Sequence, residues 1–129
     1  MADSSAGQGQ GQGPGTIASP YCPLFQAAVE LVGRRWTGAI IRAMLFGSMR
    51  FTDIMSRVPG LSDRLLSERL RELESHGIVR RTVYPETPVR VEYSLTEKGR
   101  ELQSIVAELS DWAERWAARE EADTAGRAN

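Results

Sequence analysis

One cysteine, one histidine and the absence of any long apolar run are the first things that constrain this 129-residue chain. With Cys22 alone, no disulfide can close within one copy, and nothing calls for an oxidising compartment. His76 has no second metal ligand near it in sequence, so no metal site is expected. No stretch approaches the roughly 20 apolar residues of a membrane-spanning helix. The opening residues have neither the basic start nor the apolar centre of a secretory signal, and the expected location is the cytoplasm. A Gly-rich phosphate cradle, paired carboxylates and a histidine set beside the cysteine as a base are also missing. The chain therefore reads as a non-enzyme without a cofactor.

A large net charge is missing too: 16 basic and 17 acidic residues leave −1. That balance looks wrong for a nucleic-acid binder until it is divided along the chain. Between Arg34 and Arg100 there are 13 basic and 8 acidic residues, whereas from Glu101 onward there are 3 and 7. Positive charge is concentrated in the middle, and an acidic end limits indiscriminate binding to polyanions.

What is present in that basic middle is an ordered series of elements. Phe51, Ile54 and Met55 give a short helix an apolar face, and Val58-Pro59-Gly60 stops it. Ser62 stands where an N-cap belongs. Leu66, Leu70 and Leu73 then follow at helical spacing, and Gly77 supplies a left-handed cap. The periodicity next switches to alternation: Ile78 to Tyr84 goes out, Pro85-Glu86-Thr87-Pro88 turns, and Val89 to Leu95 returns, with Val89, Val91, Tyr93 and Leu95 on one face. Helix, turn, helix and hairpin in this order predict a winged helix-turn-helix, a mainly α fold with a small β-hairpin wing (α+β).

With the three leucines inward, the second helix presents Arg64, Ser67, Glu68 and Arg71 to the outside. Such a helix fits the major groove of DNA, where arginine pairs with guanine and serine donates to a base edge or a phosphate. The expected contacts are Arg64, Ser67 and Arg71 to bases, Ser62 and Arg50 to phosphate, and Arg80, Arg81 and Arg90 of the wing to the flanking backbone. Pairing of a wing arginine with Glu86 or Glu92 is the competing reading.

These segments resemble the HxlR-type transcriptional regulators, bacterial, small, dimeric winged-helix proteins related in architecture to the MarR type. The likeness is carried by Cys22-Pro23-Leu24, by Leu31-Val32-Gly33-Arg34-Arg35-Trp36-Thr37 and by Arg50-Phe51-Thr52-Asp53-Ile54. It continues through Gly60-Leu61-Ser62-Asp63-Arg64-Leu65-Leu66-Ser67, Leu70 to Val79, and Val91 to Gly99. One departure stands out: the family commonly has two glycines and a lysine before the tryptophan, and this chain has Arg34 and Arg35.

The flanks complete the expectation. Residues 1–18, rich in Gly and Gln, read as a disordered tail, residues 19–119 as the winged domain with terminal helices, and residues 120–129 as a flexible tail. A long amphipathic helix starting near Thr96 or Glu97 would carry Leu102, Ile105, Val106, Leu109, Trp112 and Trp116 as one stripe. Together with Leu24, Phe25 and Ala28 of the first helix, that stripe suits a homodimer seam, and the resemblance implies the same. A twofold dimer implies a palindromic operator. Trp36, Ile40, Ile41, Met44, Leu45 and Phe46 are expected on one core helix.

Cys22 precedes Pro23, a residue suited to the first helical position, so its thiol would sit at a helix N-terminus, where negative charge is favoured. It is read either as a sensor for oxidants or electrophiles, which the resemblance supports, or as a small buried hydrophobe. The function expected is a sequence-specific regulator of transcription, a repressor, released from double-stranded DNA by modification of Cys22. Two other classes remain open: a winged helix used for protein interaction without DNA, and a small thiol-dependent enzyme.

Overall fold

The computed structural model describes residues 16–128. They fall into two units, one ending at Gly33 and one beginning at Arg34. The expected tail over residues 1–18 lies, as far as residue 15, outside the described residues.

The first unit holds α1, Pro23–Val32. Cys22 is its N-cap: the backbone there is extended, and Sγ accepts the N–H of Phe25 at 3.5 Å. Pro23 takes the first helical position, where a missing N–H costs nothing. None of the helix is buried, and Leu24, Phe25 and Val29 stand exposed.

The second unit begins with a turn and α2, Thr37–Met44. Thr37, Ile40, Ile41 and Met44 recur at helical spacing and are all buried. The expectation that Trp36 and Phe46 belong to this core helix is corrected. Trp36 caps the helix from outside with φ 76°, and Phe46 follows its end and is exposed. The apolar period was read two residues too far, across a turn that begins at Leu45.

The next two helices are punctuated as the sequence suggests. In α3, Phe51–Arg57, the Asp53 carboxylate accepts the N–H of Arg50 at 3.1 Å and so closes the first turn. Gly60, at φ +89°, turns the chain toward α4, Asp63–Ser75. Ser62 caps α4, its Oγ accepting the N–H of Leu65 at 3.1 Å. At the far end the N–H of Ile78 reaches Leu73 O at 2.9 Å and that of Gly77 reaches Glu74 O at 3.0 Å. This paired closure requires a left-handed residue, here Gly77 at φ +72°.

The chain leaves that cap directly into the hairpin of β1, Val79–Tyr84, and β2, Arg90–Leu95, which pair antiparallel from Val79 with Leu95 to Tyr84 with Arg90. Met49 adds a one-residue bridge along β2, exchanging two backbone hydrogen bonds with Tyr93. Val79 and Leu95 anchor the hairpin in a core shared with Ile40, Ile41, Met44, Ile54, Leu66, Leu70, Leu73 and Ile78. Each such side chain contributes about 1.5–3 kcal/mol by leaving water.

The single long helix expected from Thr96 or Glu97 is two. A four-residue α5, Glu97–Arg100, is capped by Thr96 Oγ1, and α6, Gln103–Ala128, follows after a break at Glu101 and Leu102. Gly99 explains the tight entry: a Cβ there would lie 2.3 Å from Ile78 O. The tail expected from residue 120 is instead helix as far as Ala128. Glu120, Glu121, Ala122 and Ala125 are strong helix formers, and polarity alone was a poor guide to where the helix stops. No helix among the described residues is long and apolar enough to cross a membrane.

Candidate nucleic-acid interface

α4 turns Leu66, Leu70 and Leu73 inward, and this burial leaves Arg64 and Arg71 exposed and Ser67 half-buried on the other side. The wing meets this outer face. Ser67, Leu70, Arg71 and Glu74 of α4 and Arg81 and Tyr93 of the hairpin line one polar cleft of about 380 Å³. Two arginines and a serine, supplied by two successive elements, thus converge where a phosphate or base edge can be gripped from two sides.

The other expected contacts are placed differently. Successive strand residues alternate faces, so Arg80, paired with Ser94, looks away from the cleft that Arg81 lines. Arg64 is exposed, and its Nε lies 3.4 Å from Glu68 Oε2. An exposed pair of this spacing is worth only about 0.3–0.5 kcal/mol, so Arg64 is easily recruited elsewhere. Ser62 keeps its hydroxyl oxygen on the backbone as the cap.

Arg90 is withdrawn from the role given it by sequence. Its guanidinium bonds Glu86, at 2.8 Å from Nη2 to Oε2, and also Glu92, and it lies 3.9 Å from the centroid of the Tyr84 ring. Ser48 Oγ donates to the second oxygen of Glu92 at 2.9 Å. The Glu86 carboxyl is held below its ordinary value of 4.5, chiefly by the hydrogen bond from Arg90. That of Glu92 is lowered chiefly by Ser48 and then by Arg90. The positive charge of Arg90 is therefore matched within the chain.

Arg69 was missed by the sequence reading, although the period points to it: it lies three residues after Leu66 and four before Leu73, on the buried face. Its Nε donates to Arg35 O at 3.0 Å, and the residue is 7% exposed. Arg34 pairs with Glu72, Nη1 to Oε2, at 3.2 Å. Cys22, in its own unit, is free and exposed.

A helix-turn-helix whose second helix exposes Arg64 and Arg71, with a wing beside it, defines a winged helix of the DNA-binding type. Over residues 31–121 the chain matches the family described as HxlR-like helix-turn-helix, and it belongs to that family of transcriptional regulators. It is 52% identical over 98 residues to the HTH-type transcriptional regulator YvaP of Bacillus subtilis, covering 76% of this chain and 91% of YvaP. It is 46% identical over 95 residues to the HTH-type transcriptional regulator YodB of B. subtilis, covering 74% and 85%. The reduced form of YodB superposes with a TM-score of 0.67 over 74% of this chain and 93% of that one. The reduced form of the redox regulator HypR superposes with 0.71 at 37% identity, over 77% and 98%. Family membership makes the chain a DNA-binding transcriptional regulator and removes the thiol-dependent enzyme.

Proposed function

We propose that this regulator is a repressor that binds a palindromic operator as a homodimer and is released by chemical modification of Cys22. The observation that carries the DNA-reading part is the convergence of Ser67 and Arg71 with Arg81 around one cleft. In this reading Arg64, Ser67 and Arg71 read the major groove, and Arg81 grips the adjacent backbone. Arg80 serves only if the DNA wraps past the hairpin. Arg50, at the start of α3, adds a phosphate contact, and Arg90 fastens the wing instead of touching DNA.

Dimerisation is supported by uncovered apolar surface. Ile105, Leu109, Trp112 and Trp116 are exposed along α6, as are Leu24 and Phe25 on α1. Ala28 is exposed as well, and Leu102 and Val106 are half-buried. The apolar row along α6 is by itself the kind of uncovered surface that serves for interaction.

The switch is supported by the exposed thiol at the N-cap of α1 and by the relatives: YodB has been crystallised after diamide treatment and with a quinone bound, and HypR is described as a redox regulator. Cys22 would add to an electron-poor carbon of a quinone, or be oxidised by diamide together with a second thiol to a disulfide. The test is a gel shift on the DNA upstream of the regulator's own gene. Wild type should bind it selectively and with a steep salt dependence, and lose it on treatment with diamide or benzoquinone; Cys22→Ser should bind equally well and ignore both reagents. An unchanged response in Cys22→Ser removes the switch, and no selective binding by untreated protein removes the repressor.

A further inference from the structure

We infer that the turn Arg34-Arg35-Trp36 is a clamp that sets how the recognition helix α4 meets DNA, with Arg34 as a positioning residue. The inference rests on the DNA-reading assignment above and deepens it.

The turn holds the helix-turn-helix at two separate places. Ahead of α4, the Trp36 ring lies against Gly60, so close that a Cβ there would stand 3.2 Å from it. In the middle of α4, Arg35 O takes the Nε proton of Arg69 at 3.0 Å, and Arg34 Nη1 pairs with Glu72 Oε2 at 3.2 Å. Trp36 keeps φ 76°, a left-handed conformation that side chains other than glycine rarely adopt, and the contacts on both sides hold it there.

From this clamp a line of alternating charge runs back along α4. Glu72 offers one oxygen to Arg34 and the other to Arg69, whose Nη1 is 3.7 Å away. The same nitrogen is 3.9 Å from Glu68 Oε1, and the other oxygen of Glu68 meets Arg64 Nε at 3.4 Å. Arg69 Nη1 is buried and has no hydrogen-bond acceptor, so the guanidinium is held by the bond from its Nε to Arg35 O and by the fields of these two carboxylates. Arg34 thereby sits at one end of a chain of charges whose other end is a reading arginine.

A stabilising role is a poor account of Arg34. Its side chain is 51% exposed, and a pair in that setting adds little to folding. Its charge matters more to a helix that carries two glutamates toward a polyanion. Arg34 neutralises Glu72 and leaves Arg69 free to bind the turn squarely.

The experiment compares wild type, Arg34→Gln and Arg34→Lys on two duplexes of equal length, one selected from a random pool by the wild-type protein and one scrambled. Arg34→Gln should bind the selected duplex about fivefold more weakly, a size typical of coupling through packed contacts. The scrambled duplex, the melting temperature and the salt slope should not change, and Arg34→Lys should restore selective binding. A parallel loss on both duplexes with a shallower salt slope would make Arg34 a phosphate contact and overturn the inference. So would a loss that tracks a fall in melting temperature, or no loss at all. If the wild type selects no duplex, the DNA-reading assignment falls and takes the clamp with it; a selective wild type with an indifferent Arg34→Gln defeats the clamp alone.

Discussion

Arg90 lies over the ring of Tyr84, 3.9 Å from its centroid, across the last rung of the hairpin. The stack holds the guanidinium flat between Glu86 and Glu92 and turns a candidate DNA contact into the fastening of the wing. Arginine suits this double role because its plane can stack while its edge serves two carboxylates.

The fastening should depend on pH. The folded values of both acids are depressed, Glu86 by Arg90 and Glu92 by Ser48 and Arg90. A carboxylate lowered in this way stabilises the fold above its unfolded value, and the contribution is lost as pH falls through the folded one. Wild type should therefore melt at a higher temperature than Glu92→Gln at neutral pH. The difference should close as pH drops below the ordinary value of 4.5, as followed by circular dichroism. A gap that stays unchanged as the pH is lowered from neutral into the acid range would rule out this ionic origin.

The two faces of the hairpin should differ in their salt dependence. Arg81→Ala removes a cation from the cleft beside Ser67 and Arg71 and should lower the slope of log affinity against log salt by about one. Arg90→Ala, whose charge is already matched, should leave that slope unchanged. Fluorescence anisotropy at four or five salt concentrations measures both, and equal slopes for the two variants would refute the distinction.

The exposed stripe on α6 gives a third expectation. Under the proposed homodimer, wild type should sediment at twice the chain mass, and Leu109→Asp, which introduces a charge between Ile105 and Trp112, should sediment at the mass of one chain at micromolar concentration. The wing and the three-leucine core do not use Leu109, so the far-ultraviolet circular dichroism should stay close to that of the wild type. A variant that remains dimeric would move the seam elsewhere.

The helix-turn-helix and its wing were readable because their signals are local. Ser62 caps within three residues, Gly77 closes within four, and the leucines of α4 repeat at a spacing that only a helix explains. The interface was readable only in part, since its partnerships cross the chain. Strand alternation separates Arg80 from Arg81, but which face meets α4 depends on the register of the hairpin against the core. Arg69 announces by its period that it is buried, yet its acceptor, Arg35 O, is 34 positions away. Trp36 fits a helical apolar pattern and still lies outside the helix, because the pattern contains no sign of a left-handed backbone. The C-terminal helix starts at Glu97 as expected, but a break at Glu101 and Leu102 divides it, and Ala and Glu carry the last turns past the expected stop.

The bare stripe of α6 has a further consequence for the amount of protein a cell must make. If its burial awaits a second copy, assembly follows mass action, and the paired reading heads accumulate as roughly the square of concentration while monomer dominates. Operator occupancy then rises more steeply than the supply of protein. A modest change in synthesis or breakdown of the chain would move the controlled gene between open and shut, with no change at Cys22.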